Sequence, residues 1–234
     1  MARTDVGTPT NFYALLTIPA VLGVIGYTTD FLPAKLGVPG TCALILIAFY
    51  RKDLARIRDF WWVVGAFVFS MIGDAFLSNK GDDEMLFVYG IAGFFFAHLG
   101  YLGFPLLNGR VHRLALVILY AGYIPFYIWS LRPAIDDGVL SIAVLIYLLI
   151  SCLVLAAALG LQIPTWPRRA YIVGIALIVL SDTFIAFNEF LDFTTFNDLI
   201  LPTYYLAHIT ITAGLIKRGL GDEIAAKRGV AGTG

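Results

Sequence analysis

Charge is scarce in this chain. Only 14% of its 234 residues are charged, against about 25% in a soluble domain, while 59% are apolar and mean hydropathy is +0.84. That balance excludes a soluble enzyme and a disordered chain. A basic excess is lacking too. Sixteen Lys and Arg balance sixteen Asp and Glu, so nothing marks a polyanion site and no nucleic-acid partner is expected. Cysteine is nearly absent: Cys42 and Cys152 both sit in apolar runs, give neither a disulfide framework nor a metal knuckle, and read as small core residues. The stretch before Phe12 holds one arginine and no apolar run, which is not the form of a signal peptide.

What is present is membrane-length apolar sequence. A spanning helix needs about 20 apolar residues, and eight stretches qualify, at 12–29, 34–50, 60–78, 86–107, 114–131, 139–161, 169–190 and 199–217. The expected fold is all-α, a polytopic membrane protein with eight transmembrane helices in one domain over 1–234. The polar, Gly/Ala-rich tail after Lys217 is expected to fray. Lys and Arg divide unevenly between the two sets of connections. One set, with both termini, holds Arg3, Arg51, Lys52, Arg56, Arg58, Arg110, Arg113, Arg168, Arg169, Lys217, Arg218, Lys227 and Arg228; the other holds Lys35, Lys80 and Arg132. The positive-inside rule then puts both termini in the cytoplasm, as in an inner-membrane protein of bacterial type. The opposite connections are acidic, with Asp82, Asp83, Glu84, Asp136, Asp137, Asp192 and Asp198.

Four ionisable residues fall inside spans, where such groups are costly and mark function. They are Asp74 in span three, His98 in span four, Asp182 in span seven and His208 in span eight. A rise of about 1.5 Å per residue puts both aspartates about 20 Å from the cytoplasmic face, and the histidines about 14–18 Å from the other face. All four fit one layer. Ser70, Asp74 and Ser78 repeat at every fourth position, as do Tyr204, His208 and Thr212, so each set forms a stripe on one helix face. Tyr101 is one turn from His98. Asn188 and Glu189 lie two turns from Asp182. Spans one, five and six read as supporting, lipid-facing helices.

Spans three and four also resemble spans seven and eight. GDAFL at 73–77 pairs with SDTFI at 181–185, and FAHLGY with LAHITI. The steps from Asp to His are similar, 24 and 26 residues. Two parallel four-helix repeats, 12–107 and 114–217, are the organisation this suggests, with a site at their interface.

GDAFLS at 73–78, FFFAHLGYLGF at 94–104, SDTFIAF at 181–187 and TYYLAHITITAGL at 203–215, in this order, resemble the YhhN-like lysoplasmalogenase family. The chain departs from that pattern at His208, where Gln is usual, and has only a loose form, Lys35 and Pro39, of the Lys-Pro pair opening span two. The resemblance implies hydrolysis of the vinyl ether bond of a lysoplasmalogen, giving a fatty aldehyde and a glycerophospho-alcohol such as glycerophosphocholine or glycerophosphoethanolamine. The partners it implies are a lysophospholipid substrate and the bilayer, with no cofactor.

The residues suit that chemistry. A vinyl ether hydrolyses by protonation on carbon and attack of water on the oxocarbenium ion. The acid must be protonated near neutrality, whereas a carboxyl in water has a pKa near 3.9. Apolar burial and a second carboxylate both favour the protonated form, as with the paired carboxyls of glycoside hydrolysis. Asp74 and Asp182 divide the work in this reading, with His98 and His208 as the other catalytic candidates. Tyr101, Tyr204, Tyr205, Ser70, Ser78, Asn188 and Glu189 are the substrate-binding candidates, and Phe94–Phe96 a lining for the alkyl chain. Plainer readings stand beside these: aspartates that fix helix packing, interfacial belt tyrosines, and helix hydroxyls bonded to backbone. A zinc site of two His and two Asp is conceivable, although no HExxH or cysteine cluster supports it. A proton-coupled transporter of small molecules or lipids would use buried carboxylates and repeats equally well, and a scaffold would use neither aspartate. No lysine lies in the interior of a span to carry retinal, Lys217 being at a helix end.

Overall fold

In lipid, every backbone amide must be satisfied within the chain, so membrane-length apolar runs become helices. The structure, a computed structural model, describes residues 9–51, 58–81 and 83–231, with side chains over 12–51, 58–81 and 83–221. Arg3, Lys52, Arg56 and Asp82, and the side chains of Lys227 and Arg228, lie outside the described residues. Nine α-helices form among those residues and no strand: α1 Pro9–Leu15, α2 Thr17–Thr29, α3 Leu32–Tyr50, α4 Phe60–Ser78, α5 Glu84–Asn108, α6 Arg113–Phe126, α7 Gly138–Leu159, α8 Thr165–Leu191 and α9 Asn197–Ala231. Together they supply eight membrane-length segments, the expected number, and the protein is an integral membrane protein.

Three local departures have physical causes. The first span is broken between α1 and α2 at Leu16, because Pro19 cannot donate to the carbonyl four residues earlier. Beyond Pro125, α6 widens into a π turn at Tyr127–Leu131 and a 3-10 turn at Arg132–Ala134. The Tyr127 hydroxyl, 2.9 Å from the Ser141 carbonyl and 2.7 Å from its Oγ, ties that turn to α7. Finally, α9 continues past Lys217 to Ala231, through a segment rich in the good helix formers Ala, Glu, Lys and Arg.

Small residues set the closest crossings. A Cβ on Gly93 would lie 2.8 Å from the Gly73 backbone nitrogen, and one on Gly174 would lie 3.0 Å from the Ala207 carbonyl oxygen. Close approach through glycine is how helices associate where lipid removes the hydrophobic drive. The α4–α5 and α8–α9 pairs made this way are the most extensive in the bundle. Polarity is arranged inside out. Val24, Leu44, Val117, Ile118 and Trp129 project outward, whereas Ser70, His98, Ser151, His208 and Thr212 are buried. At the end carrying the α3–α4, α5–α6 and α7–α8 connections, Arg218 donates to Asp59 (2.6 Å) and Asn108 (3.0 Å), and Asn108 donates to Asp59 (2.8 Å), closing a clamp across α4, α5 and α9.

Candidate active site

The four intramembrane residues divide into two groups, each drawing on both helix pairs. In the first, His98 of α5 meets Asp182 of α8, with Nε2 3.5 Å from Oδ2. The His98 Nδ1–H donates to the Phe94 carbonyl at 2.9 Å, which fixes one ring proton. Its Nε2 is 3.2 Å from Ser151 Oγ. Ser151 has a single proton and a carbonyl acceptor, that of Tyr147, at 2.8 Å; with its proton there, it accepts from His98. In that arrangement a proton on His98 Nε2 or on Asp182 joins the two side chains. Asp182 Oδ2 and the Tyr147 hydroxyl are both buried and within reach of each other, outside strict hydrogen-bond geometry.

In the second group, Asp74 of α4 accepts a 2.9 Å bond from the Tyr204 hydroxyl of α9. His208 again places Nδ1–H on a backbone carbonyl four residues back, that of Tyr204, at 2.9 Å. Here Nε2 accepts from the Tyr101 hydroxyl at 3.1 Å. Tyr101 has a proton to give, so the His208 ring is satisfied as a neutral base. Ser70 Oγ lies 3.5 Å from the same hydroxyl, a marginal contact.

The two groups differ in the cavities beside them. Asp182 lines two small adjoining cavities of about 60 and 50 Å³, which share Val144, Tyr147 and Ala186. Each holds a few waters or a short stretch of chain. The first is walled by Leu77, Phe87, Ile91, Phe94 and Phe190; the second runs between α6, α7 and α8 past Tyr123, Phe126 and Leu131. Asp74 lines neither. Phe94 lies on Gly73, edge-on to Tyr204 and 6.1 Å from its ring centre, and walls the Asp182 cavity with its other side. A larger cavity of about 620 Å³ opens at the end carrying the α4–α5 and α6–α7 connections, sharing Phe87 and Phe190 with the Asp182 cavity. Lys80 and Glu189, paired at 2.9 Å, stand in its wall.

The other candidates scatter. Ser78 is exposed at the end of α4. Tyr205 is buried beside Gly23 and Gly26 of α2, with its hydroxyl unpaired. Thr212 donates to the His208 carbonyl at 2.8 Å, a helix-internal bond. Asn188 accepts from Asn197 at 2.8 Å. Of Phe94–Phe96, Phe94 lines the Asp182 cavity, Phe95 packs on the core and Phe96 is exposed. Among the described residues, no three His, Cys, Asp or Glu gather as metal ligands. Span six is not merely supporting: α7 brings Tyr147 and Ser151 to His98 and Asp182. Their spacing of four residues on one helix face was the available signal.

These features define a class, a polytopic α-helical membrane protein whose Asp–His pair faces apolar cavities, one of which shares Phe87 and Phe190 with a charged opening. More narrowly, a model described as the YhhN family matches residues 35–215, and the chain belongs to that family. The family is associated with lysoplasmalogenase hydrolase activity. No curated protein and no solved structure matches the chain.

Proposed function

We propose that this protein hydrolyses the vinyl ether bond of a lysoplasmalogen, with Asp182 as the acid. The observation carrying this reading is the 3.5 Å approach of Asp182 Oδ2 to His98 Nε2 beside an apolar cavity that Tyr147 also lines. Asp182 gives its proton to the carbon of the vinyl group remote from oxygen. The carbon bonded to oxygen becomes an oxocarbenium ion, stabilised by the carboxylate left behind. Water, oriented by Tyr147, adds to that carbon, and its proton passes to Asp182 or His98. The hemiacetal then collapses: its hydroxyl proton is taken up, the bond to the glycerol oxygen breaks, and that oxygen is protonated. One water is consumed, and aldehyde and glycerophospho-alcohol leave with the site's proton count unchanged.

Asp74, behind Phe94, acts as the second carboxylate by charge rather than by contact, held by Tyr204. Tyr101 and Ser70 support it through His208. The crossed arrangement, α8 with α5 and α4 with α9, suits two repeats at 12–107 and 114–217 meeting at this site. The positive-inside reading puts the charged opening on the non-cytoplasmic side with both termini in the cytoplasm, so the polar product leaves on that side. A bacterial-type inner membrane is the location in this reading.

The test is turnover of an alkenyl lysophospholipid by purified protein in detergent, with no gradient, run in heavy water and quenched by borohydride reduction. Protonation on carbon places one deuterium beside the former aldehyde carbon of the trapped alcohol. Aldehyde without that deuterium excludes the acid mechanism; activity only in sealed vesicles under a pH difference favours a transporter.

A further inference from the structure

The 620 Å³ opening is built from two connections and the end of α8, distant in sequence, and its charges are ordered by depth. At its inner end, beside Phe87 and Phe190, which also line the Asp182 cavity, stands Lys80, the one cation of its lining among the described residues. Lys80 is three-quarters buried, paired with Glu189 and set 5.2 Å from the centre of the Phe87 ring. At the exposed rim stand Asp83, Glu84, Asp136 and Asp137. Asp83 and Asp137 are committed to capping α5 and α7 through backbone amides. Glu84 and Asp136 make no hydrogen bond or ion pair among the described residues.

We infer that this opening is a head-group site that sorts lysolipids by charge, with Lys80 taking the phosphate and Glu84 and Asp136 taking a terminal ammonium. The inference rests on the hydrolase reading. Glu189 lies seven residues, about 10 Å, along α8 from Asp182, the span of a glycerophospho head group. A lysolipid with its ether oxygen at Asp182 therefore brings its phosphate to the inner cation and its outermost group to the acidic rim. Lys80 exchanges Glu189 for phosphate, a charge-assisted contact in a partly dehydrated place. Among the described residues, five carboxylates against one lysine give the lining a large negative excess. A head group ending in ammonium is attracted to it; one that is net anionic is repelled, and like-charge juxtaposition is an effective way to reject a wrong partner.

The experiment compares two lysolipids with the same alkenyl chain, one ending in phosphocholine and one in phosphoglycerol, in a neutral detergent at low salt. Wild-type protein prefers phosphocholine by at least 10-fold in kcat/KM, with the difference in KM. The double variant E84Q/D136N narrows that preference below about 3-fold, and K80Q raises KM about 10-fold for both head groups. Binding of the saturated ether analogues, which cannot be hydrolysed, is measured in parallel by calorimetry. Head-group-ordered binding without aldehyde release from either alkenyl lipid sinks the hydrolase reading and keeps the site. Equal binding of both analogues by wild type, or an unchanged ratio in E84Q/D136N, overturns the inference.

Discussion

The Asp182–His98 and Asp74–His208 groups use the same residue types, and each histidine anchors Nδ1 on the carbonyl one turn back. They differ in what meets Nε2. His208 faces Tyr101, which has a proton to give; His98 faces Ser151, whose proton has the Tyr147 carbonyl as its acceptor. One group is thereby closed, and in the other His98 Nε2 and the Asp182 carboxyl are left to face each other at 3.5 Å. Asp182 also borders two small cavities that Asp74 does not line, although both residues are partly exposed. The lesson is that an intramembrane Asp and His do not by themselves make a reactive pair. The hydroxyl that completes the circuit decides it.

The sharpest break of this comparison is exchange of the two aspartates in turn. Asp182→Asn should lower aldehyde release about 1,000-fold, within the range for loss of a general acid, whereas Asp74→Asn should cost about 10-fold. The reverse order would transfer the acid to Asp74. Next comes His98→Gln, which keeps a polar side chain but not a titrating one, and should cost about 100-fold in kcat. Tyr147→Phe removes the hydroxyl that orients water without changing the cavity wall. It should cost about 10-fold in kcat and leave KM unmoved; a loss confined to KM would make Tyr147 a binding residue instead.

The asymmetry between the groups was hidden from the sequence for a reason. The spans were legible because lipid allows only helices at that depth, and their departures fall where proline or a helix-forming tail intervenes. The aspartates and histidines were legible because they are expensive there. Tyr147 and Ser151 were not, since α7 is the most apolar span and a tyrosine or serine in it is cheap. The charged opening was less legible still. Lys80 and Asp136 read as loop charges, and Glu189 as a binding candidate apart from them, until the π turn after α6 brings its connection beside the ends of α4 and α8.

The smallest effect is the most specific. His208 serves Tyr101 only as an acceptor, so a glutamine whose amide oxygen replaces Nε2 should do the same work. His208→Gln is expected to stay within about 3-fold of wild-type turnover, in contrast to the same exchange at His98. His208→Leu is different. It leaves the fully buried Tyr101 hydroxyl without its acceptor, at a cost of about 1–3 kcal/mol, and thermal unfolding in detergent should fall accordingly. If His208→Gln abolished turnover as His98→Gln does, the two histidines would be functionally equivalent, and the closed and open groups would have to be treated as one proton-carrying unit.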